Sequence, residues 1–441
     1  MKIISAILLA ALLFACIMYG YSPGSQSKKP AEEVTDASRT DSSRTSPLSH
    51  DSPSSYTALN YATVKAIWLS QFDMTEIYTE GGKQREIFDY KAKLMTLFNN
   101  LQALEINTLF VQVRPNGDSI YPSEIYPTSK YVSGKYGKDI GYDPFAILLE
   151  YAHERSISVH AWINPLRCMS VSELSSIPKD HEIKRWFEGG DSDKVVSVNG
   201  YCYLNPAHRE TRALICSGVS EILCKYNVDG IHLDDYFYPT ASESFDALSY
   251  AEYKHLGGSE SLGDFRREQI NTLVREIYST VKNRNHTVLF GISPGGNTSR
   301  NYNELFADVA AWCSSDCYVD YICPQIYFGF EHETHPFDDV CDEFSEMISQ
   351  SKVKLIAGIT LGKAYDGYNG KADQWAGDGG REWINNRDIL KRSVEYADRT
   401  NGCCGVALFS YRLLFDAVTG TPIIQTRDEV NALIPAFKQF Q

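Results

Sequence analysis

Eight short apolar, β-branched runs, at residues 64–69, 108–113, 158–163, 228–233, 287–292, 319–326, 354–360 and 405–409, alternate along the chain with stretches of helical periodicity. Runs that are apolar at nearly every position belong to strands covered on both faces, as in a parallel sheet. Eight of them separated by helices specify an α/β fold of one kind, a single closed (β/α)8 or TIM barrel, over an open doubly wound sheet. No glycine-rich dinucleotide fingerprint follows the first run, which removes the main argument for the open form. The helical stripes agree: Leu94, Leu97, Phe98, Leu101 and Leu104 keep the i, i+3, i+4, i+7 spacing, as do Phe145, Leu148, Leu149 and Ala152. Asp143-Pro144 and Asn205-Pro206 each set a capping side chain before a proline, and predict two helix starts.

The texture ahead of this pattern is different. Met1 and Lys2 precede an apolar run at 3–15, which is short for a bilayer span and has the layout of an export signal. It ends in Leu13-Phe14-Ala15-Cys16, which is similar to the bacterial lipobox, so Cys16 is the expected lipidation site and residues 1–16 the signal segment. Residues 17–60 are rich in Ser, Thr, Pro, Lys, Asp and Glu, too poor in aliphatic groups to offset ordering entropy, and are expected to be a flexible linker. The barrel then occupies residues 61–441. Such a chain is expected to be exported and held at the cell membrane or outer membrane by its N-terminal lipid alone, facing the envelope or exterior.

A formal net charge of -14 repels polyanions and argues against nucleic acid as a partner. The eleven cysteines fall into no disulfide framework or zinc spacing, so most are expected to be small buried hydrophobes. With no HExxH sequence and no carboxylate–histidine triad at metal spacing, neither a metal nor another cofactor is expected.

Polar residues at the C-terminal ends of barrel strands converge on one pocket. The first run delivers Asp73, the second Arg114, Asn116 and Asp118, the third Asn164 and Arg167. The fourth delivers Asp234, Asp235 and Tyr236, the sixth Gln325 and Tyr327, and the eighth Tyr411, while Asn205 stands before a helix. Carboxylates for proton transfer, amides and guanidiniums for hydroxyl groups, and aromatic faces for stacking together suit a polysaccharide partner. Glycoside hydrolysis needs an acid for the leaving oxygen and a second group for the oxocarbenium-like centre. Adjacent aspartates can raise one another's pKa, so Asp234 and Asp235 are the expected catalytic pair and the others substrate contacts, with Asp73 a reserve second carboxylate. Asp229 is better read as a structural brace, and His160 and His232 as satisfied core residues.

The segments Lys65-Ala66-Ile67-Trp68-Leu69, Gln112-Val113-Arg114-Pro115-Asn116-Gly117-Asp118, His160-Ala161-Trp162-Ile163-Asn164-Pro165, Tyr203-Leu204-Asn205-Pro206, Asp229-Gly230-Ile231-His232-Leu233-Asp234-Asp235-Tyr236 and Pro324-Gln325-Ile326-Tyr327 resemble the glycosyl-hydrolase-like family 10 domain of bacteria. The resemblance implies a barrel acting on cell-wall or other envelope glycans, with peptidoglycan strands as the leading substrate. The fourth-run motif is also distantly similar to that of family 18 chitinases, whose pattern ends in a catalytic Glu where Tyr236 stands here. The acid must then come from elsewhere, most simply Asp235, with Asp234 polarising an acetamido group or acting as the second carboxylate. A non-catalytic glycan-binding barrel, a hydrolase of another polysaccharide such as an α-glucan, and a deacetylase or amidase are the competing expectations.

Overall fold

The computed structural model describes residues 55–190, 193–348 and 351–441; the signal, lipobox and most of the linker expected from the sequence, Cys16 included, lie outside the described residues. Eight parallel strands close into a barrel: β1 (Val64–Leu69), β2 (Thr108–Arg114), β3 (Ser158–Ile163), β4 (Gly230–Leu233), β5 (Leu289–Ile292), β6 (Tyr321–Ile322), β7 (Lys354–Thr360) and β8 (Cys403–Phe409). Each pairs with the next, and β8 closes on β1 through Val64 opposite Gly405 and Ile67 opposite Leu408. The expected barrel is therefore present, with β4, β5 and β6 shorter than their apolar runs.

Side-chain alternation divides the core into two layers. Val64, Ala66, Trp68, Phe110, Trp162, Tyr321, Ile356 and Ala407 fill the barrel interior, while Ile67, Leu69, Val111, Ile163 and their equivalents face the helices. The helix Ile87–Ala103 buries Leu94, Leu97, Phe98 and Leu101 against that outer surface, as its stripe requires. Each large apolar side chain so buried contributes about 1.5–3 kcal/mol.

The interior is not wholly apolar. Trp68 Nε1 can only donate, so His232 Nε2 accepts it at 3.2 Å and the ring proton sits on Nδ1. That Nδ1 donates to the Tyr321 hydroxyl at 2.9 Å, which in turn donates to His160 Nδ1 at 2.8 Å. Burial lowers the pKa of both histidines, so they are neutral core residues, with both nitrogens of His232 and Nδ1 of His160 hydrogen-bonded. Glycines make room for the rings: a Cβ at Gly230 would stand 2.4 Å from the His160 ring, and one at Gly291 2.1 Å from that of Tyr321.

Asp229 braces the N-terminal end of the barrel, as expected. Its carboxylate accepts Val159 N at 2.7 Å, Leu59 N at 2.6 Å and the Tyr56 hydroxyl at 2.7 Å, and pairs with His153 Nε2 at 2.9 Å. Residues 56–60, assigned to the linker by composition, are thus strapped across this end, with Ala58 N also donating to Thr287 Oγ1 at 3.0 Å. Nearby a cavity of about 320 Å³ opens between Tyr61, His160, Tyr278, Asp320, Tyr321 and Lys354.

Asp143 caps the helix Pro144–His153 through Phe145 N and Ala146 N, as its dipeptide predicts. The Asn205-Pro206 expectation is corrected: the helix starts at Arg209, and Asn205 Oδ1 instead closes a turn on Ala207 N at 3.0 Å. At the opposite end of the barrel, the segment after β3 forms a three-stranded antiparallel sheet of Arg167–Ser170, Tyr201–Leu204 and Val195–Val198. A second wall, not anticipated from sequence, follows β7 with the helices Gly362–Tyr368 and Glu382–Asn385. The ten cysteines among the described residues form no disulfide with one another, and five of them are buried. No helix among the described residues is long and apolar enough to cross a membrane.

Candidate active site

β4 ends at Leu233, and the next two residues carry the acidic pair. Asp234 is buried, and all of its partners are donors. Trp162 Nε1 reaches Oδ2 at 3.0 Å, Asn164 Nδ2 meets the same oxygen at 2.5 Å, and Tyr236 N reaches Oδ1 at 3.2 Å. Trp162 is positioned by its inward place on β3, where it pairs with His232 of β4.

The orientation of the Asn164 amide is fixed by a relay. Gln71 N, a backbone donor, gives its proton to Gln112 Oε1 at 2.9 Å, and Gln112 Nε2 donates to Asn164 Oδ1 at 2.7 Å. Only Nδ2 of Asn164 is then left to face Asp234. Gln112 and Trp162 are site residues that the sequence reading missed, although both occupy inward positions on their strands.

Asp235 is half-buried and has a different set of contacts. Gln325 Nε2 donates to Oδ1 at 3.1 Å and is itself held by the Ser293 carbonyl at 3.2 Å. Oδ2 accepts no hydrogen bond among the described residues, and a Cβ on Gly295 would lie 4.0 Å from it. Burial, then the Asp235 charge, push Asp234 up to about 7, against its donors; burial likewise pushes Asp235 up. Two carboxyls this close release their protons in two steps that belong to the pair.

Aromatic and cationic groups surround the pair. Tyr236 is 42% exposed, and the Arg167 guanidinium lies over its ring at 5.0 Å. Tyr327 packs on Phe409 at 5.8 Å, and its hydroxyl is held well above the usual phenol range by burial, Cys323 and the two aspartates. Phe72, after β1, meets Tyr131 edge-on at 6.0 Å and carries Arg412 over its face at 5.6 Å. Trp375, on the wall after β7, is 63% exposed. The Ser293 hydroxyl at the end of β5 is buried with no hydrogen-bond partner among the described residues.

Of the expected site residues, the structure brings Asn164, Arg167, Tyr236, Gln325 and Tyr327 together around Asp234 and Asp235. Six others are placed elsewhere. Asp73 is fully buried, accepting Ser70 N at 2.7 Å, Ser410 Oγ at 2.8 Å and Arg412 N at 2.7 Å as well as the Ser70 hydroxyl. It ties the β1 end to the β8 end in a capping box and has no oxygen left for a sugar. Arg114 is turned away by a β-bulge: Gln112 pairs with Trp162 but Arg114 with Ile163, so Val113 is the extra residue and Arg114 takes outward parity. Its guanidinium lies 4.4 Å from the centre of the Tyr126 ring, under the helix Arg209–Lys225.

Asn116 and Asp118 build the turn after β2, with Asn116 N donating to Asp118 Oδ1 at 2.7 Å and Asn116 Nδ2 to the Tyr136 hydroxyl at 3.3 Å. Burial raises the Asp118 carboxyl to about 6 despite hydrogen bonds from Ser129 and backbone. Asn205 is fully buried in its turn and donates to Ser249 Oγ at 3.2 Å. Tyr411 is buried too, its hydroxyl accepting Asn100 Nδ2 of the outer helix at 3.1 Å. Among the described residues no three or more His, Cys, Asp or Glu gather where they could hold a metal ion.

An acidic pair at the C-terminal end of a barrel strand, ringed by amides and aromatic faces, is the arrangement of a glycoside-hydrolase type of barrel. The family described as Glycosyl hydrolase-like 10 matches residues 63–376, and the chain belongs to it. Glycosyl hydrolase YngK of Bacillus subtilis is 32% identical over 313 residues, covering 67% of this chain and 60% of that protein. Glycosyl hydrolase DigH of Escherichia coli is 30% identical over 334 residues, covering 70% of this chain and 73% of its own. The chain thus spans about 60% of the length of the first relative and nearly three quarters of the second. Among solved structures, the PgaB (BpsB) glycoside hydrolase domain from Bordetella bronchiseptica superposes with a TM-score of 0.54 at 13% identity, covering 85% of this chain and 99% of that one. The endo-1,4-beta-mannanase from Rhizomucor miehei gives 0.50 at 9% identity, covering 88% and 98%. At these identities the two structures speak to the barrel alone.

Proposed function

We propose that the protein hydrolyses O-glycosidic bonds within an envelope polysaccharide, the N-acetylhexosamine-containing strands of peptidoglycan. Asp235 is the general acid and Asp234 the second carboxylate. The contrast in their hydrogen bonding carries this reading. Burial and the Asp235 charge push Asp234 up to about 7, but its three donors have fixed polarity and are matched in full only by a carboxylate. It is therefore assigned the negative charge of the pair and can stabilise an oxocarbenium-like centre or polarise an acetamido group. Asp235 keeps one oxygen free, and the single proton of the pair resides there, in position for a leaving-group oxygen. Gln325 orients that acid, while Asn164 and Trp162 orient the anion. Tyr236, Tyr327 and the rim aromatics supply faces for pyranose rings, and Arg167 a donor for sugar oxygens.

The relatives' names support glycoside hydrolysis, and the segments after β3 and β7 add walls to the barrel beyond its eight strands. Export and lipidation at Cys16 complete the reading, since an anchored enzyme would meet its polymer in the surrounding envelope. The test is release of reducing ends from purified peptidoglycan, intact and stripped of stem peptides, with products identified by mass spectrometry. Product from the wild type and none from Asp235→Asn establishes the reaction and the bond cut. Binding to the glycan without product from either protein would replace it with a wall-binding role.

A further inference from the structure

Gln112 touches neither carboxylate, yet it decides which end of the Asn164 amide meets Asp234. Its Oε1 is committed to the Gln71 backbone N–H, a donor that cannot reverse. Its Nε2 must then donate to Asn164 Oδ1, and Asn164 Nδ2 to Asp234 Oδ2. The chain of three bonds has one direction only, and both amides and the carboxylate are buried. The bulge at Val113 contributes as well. It lets Gln112 stay inward opposite Trp162 while Arg114 turns outward, so no cation competes for the Asn164 oxygen.

We propose that Gln112 is a positioning residue that sets the polarity of a backbone-to-carboxylate relay and thereby keeps Asp234 the anionic member of the catalytic pair. The proposal rests on the glycosidase reading above for its effect on turnover, but not for its effect on Asp234. Other ionisable groups facing Asp234 are Asp235 and Tyr236 from its own loop, Arg167 after β3 and Tyr327 after β6. None of them contacts Gln112 through a hydrogen bond, so replacing Gln112 leaves that set in place.

The decisive variant is Gln112→Glu, which has the same shape and the opposite demand. A carboxylate at 112 still accepts Gln71 N but cannot donate to Asn164. The Asn164 amide must rotate to give Nδ2 to Glu, which turns its Oδ1 onto Asp234 Oδ2, and that oxygen pair is tolerable only if Asp234 takes a proton. Gln112→Met removes the relay without adding charge and serves if the Glu variant does not fold, as checked by circular dichroism and thermal melting.

The first measurement is the carboxyl-carbon NMR titration of protein labelled at aspartate Cγ, with Asp234→Asn to assign the signal. Asp234 is expected to titrate at higher pH in Gln112→Glu than in wild type, with Gln112→Met between them. The second is the pH profile of turnover: kcat is expected to fall roughly ten- to a hundredfold with little change in KM, and the acidic limb to move to higher pH. An Asp234 signal and a pH profile unmoved in both variants would overturn the relay. If the wild type cleaves no glycan, the glycosidase reading fails, and the titration still decides the relay.

Discussion

Asp229 and Asp234 stand five residues apart at opposite ends of one strand, both buried in the same barrel, and their carboxyls are driven in opposite directions. Burial penalises the Asp229 anion, but His153, Tyr56, Val159 and Leu59 more than compensate, and its pKa falls below the ordinary value. Burial also penalises Asp234, three donors oppose it, and the adjacent Asp235 charge leaves the balance upward. Burial raises both acids, and what separates the reactive group from the brace is that its donors do not outweigh that burial, with a like charge and an unfilled oxygen beside it. The N-terminal end of the barrel satisfies its acid completely. The C-terminal end leaves one acid with an unused valence, which is the condition a substrate can exploit.

The largest test of that contrast is Asp235→Asn, which should reduce kcat by about 10³-fold, or about 4 kcal/mol of transition-state stabilisation, while the melting temperature holds or rises. Glycan turnover and thermal melting on the same preparations check both halves. Asp229→Ala should do the reverse, costing about 3 kcal/mol of unfolding free energy in urea titrations because it takes the acceptor from four donors, the buried Val159 N among them, with kcat of the folded protein unchanged.

The pH dependence of stability sharpens the same point. Asp229, with a lowered folded pKa, contributes stability that is present above the ordinary carboxyl range and is lost as pH falls through its folded value. Asp234 and Asp235, with raised folded pKa values, contribute stability that is complete below the ordinary range and is lost as pH rises through their folded values. Melting temperatures from pH 4 to 8 should therefore show Asp235→Asn gaining on wild type as pH rises, and Asp229→Ala losing least against it at the acid end. The smallest effect is expected at the rim: Arg167→Gln removes a cation from the Tyr236 face, worth about 1 kcal/mol, and should raise KM a few-fold at constant kcat.

The barrel was legible because parallel strands buried on both faces leave continuous apolar runs, and helices leave stripes. Asp234, Asp235, Asn164 and Gln325 were legible for a similar reason, since a polar residue just past such a run has only the pocket to face. Arg114 and Asp73 had the same sequence signature and went elsewhere. A one-residue bulge at Val113 reverses parity without any mark in composition, and a capping box absorbs Asp73 through Ser70, a partner three residues away that also suits a loop. Gln112 and Trp162 were hidden by the opposite effect. Each sits inside a run that reads as core, and only the closed barrel shows that the top interior layer is the floor of the site. The wall after β7 carries no strong periodicity, and its place follows from close packing of the glycine-bearing turn at Gly379 on Glu331.

The strap of residues 56–60 has a mechanical meaning. It is fastened to Asp229 and Thr287 at the end of the barrel remote from the acidic pair. Any pull arriving through the preceding chain would be carried into the floor of the barrel, through a carboxylate that also grips the β3 backbone at Val159. The acidic pair stands at the other end of the barrel, off that load path.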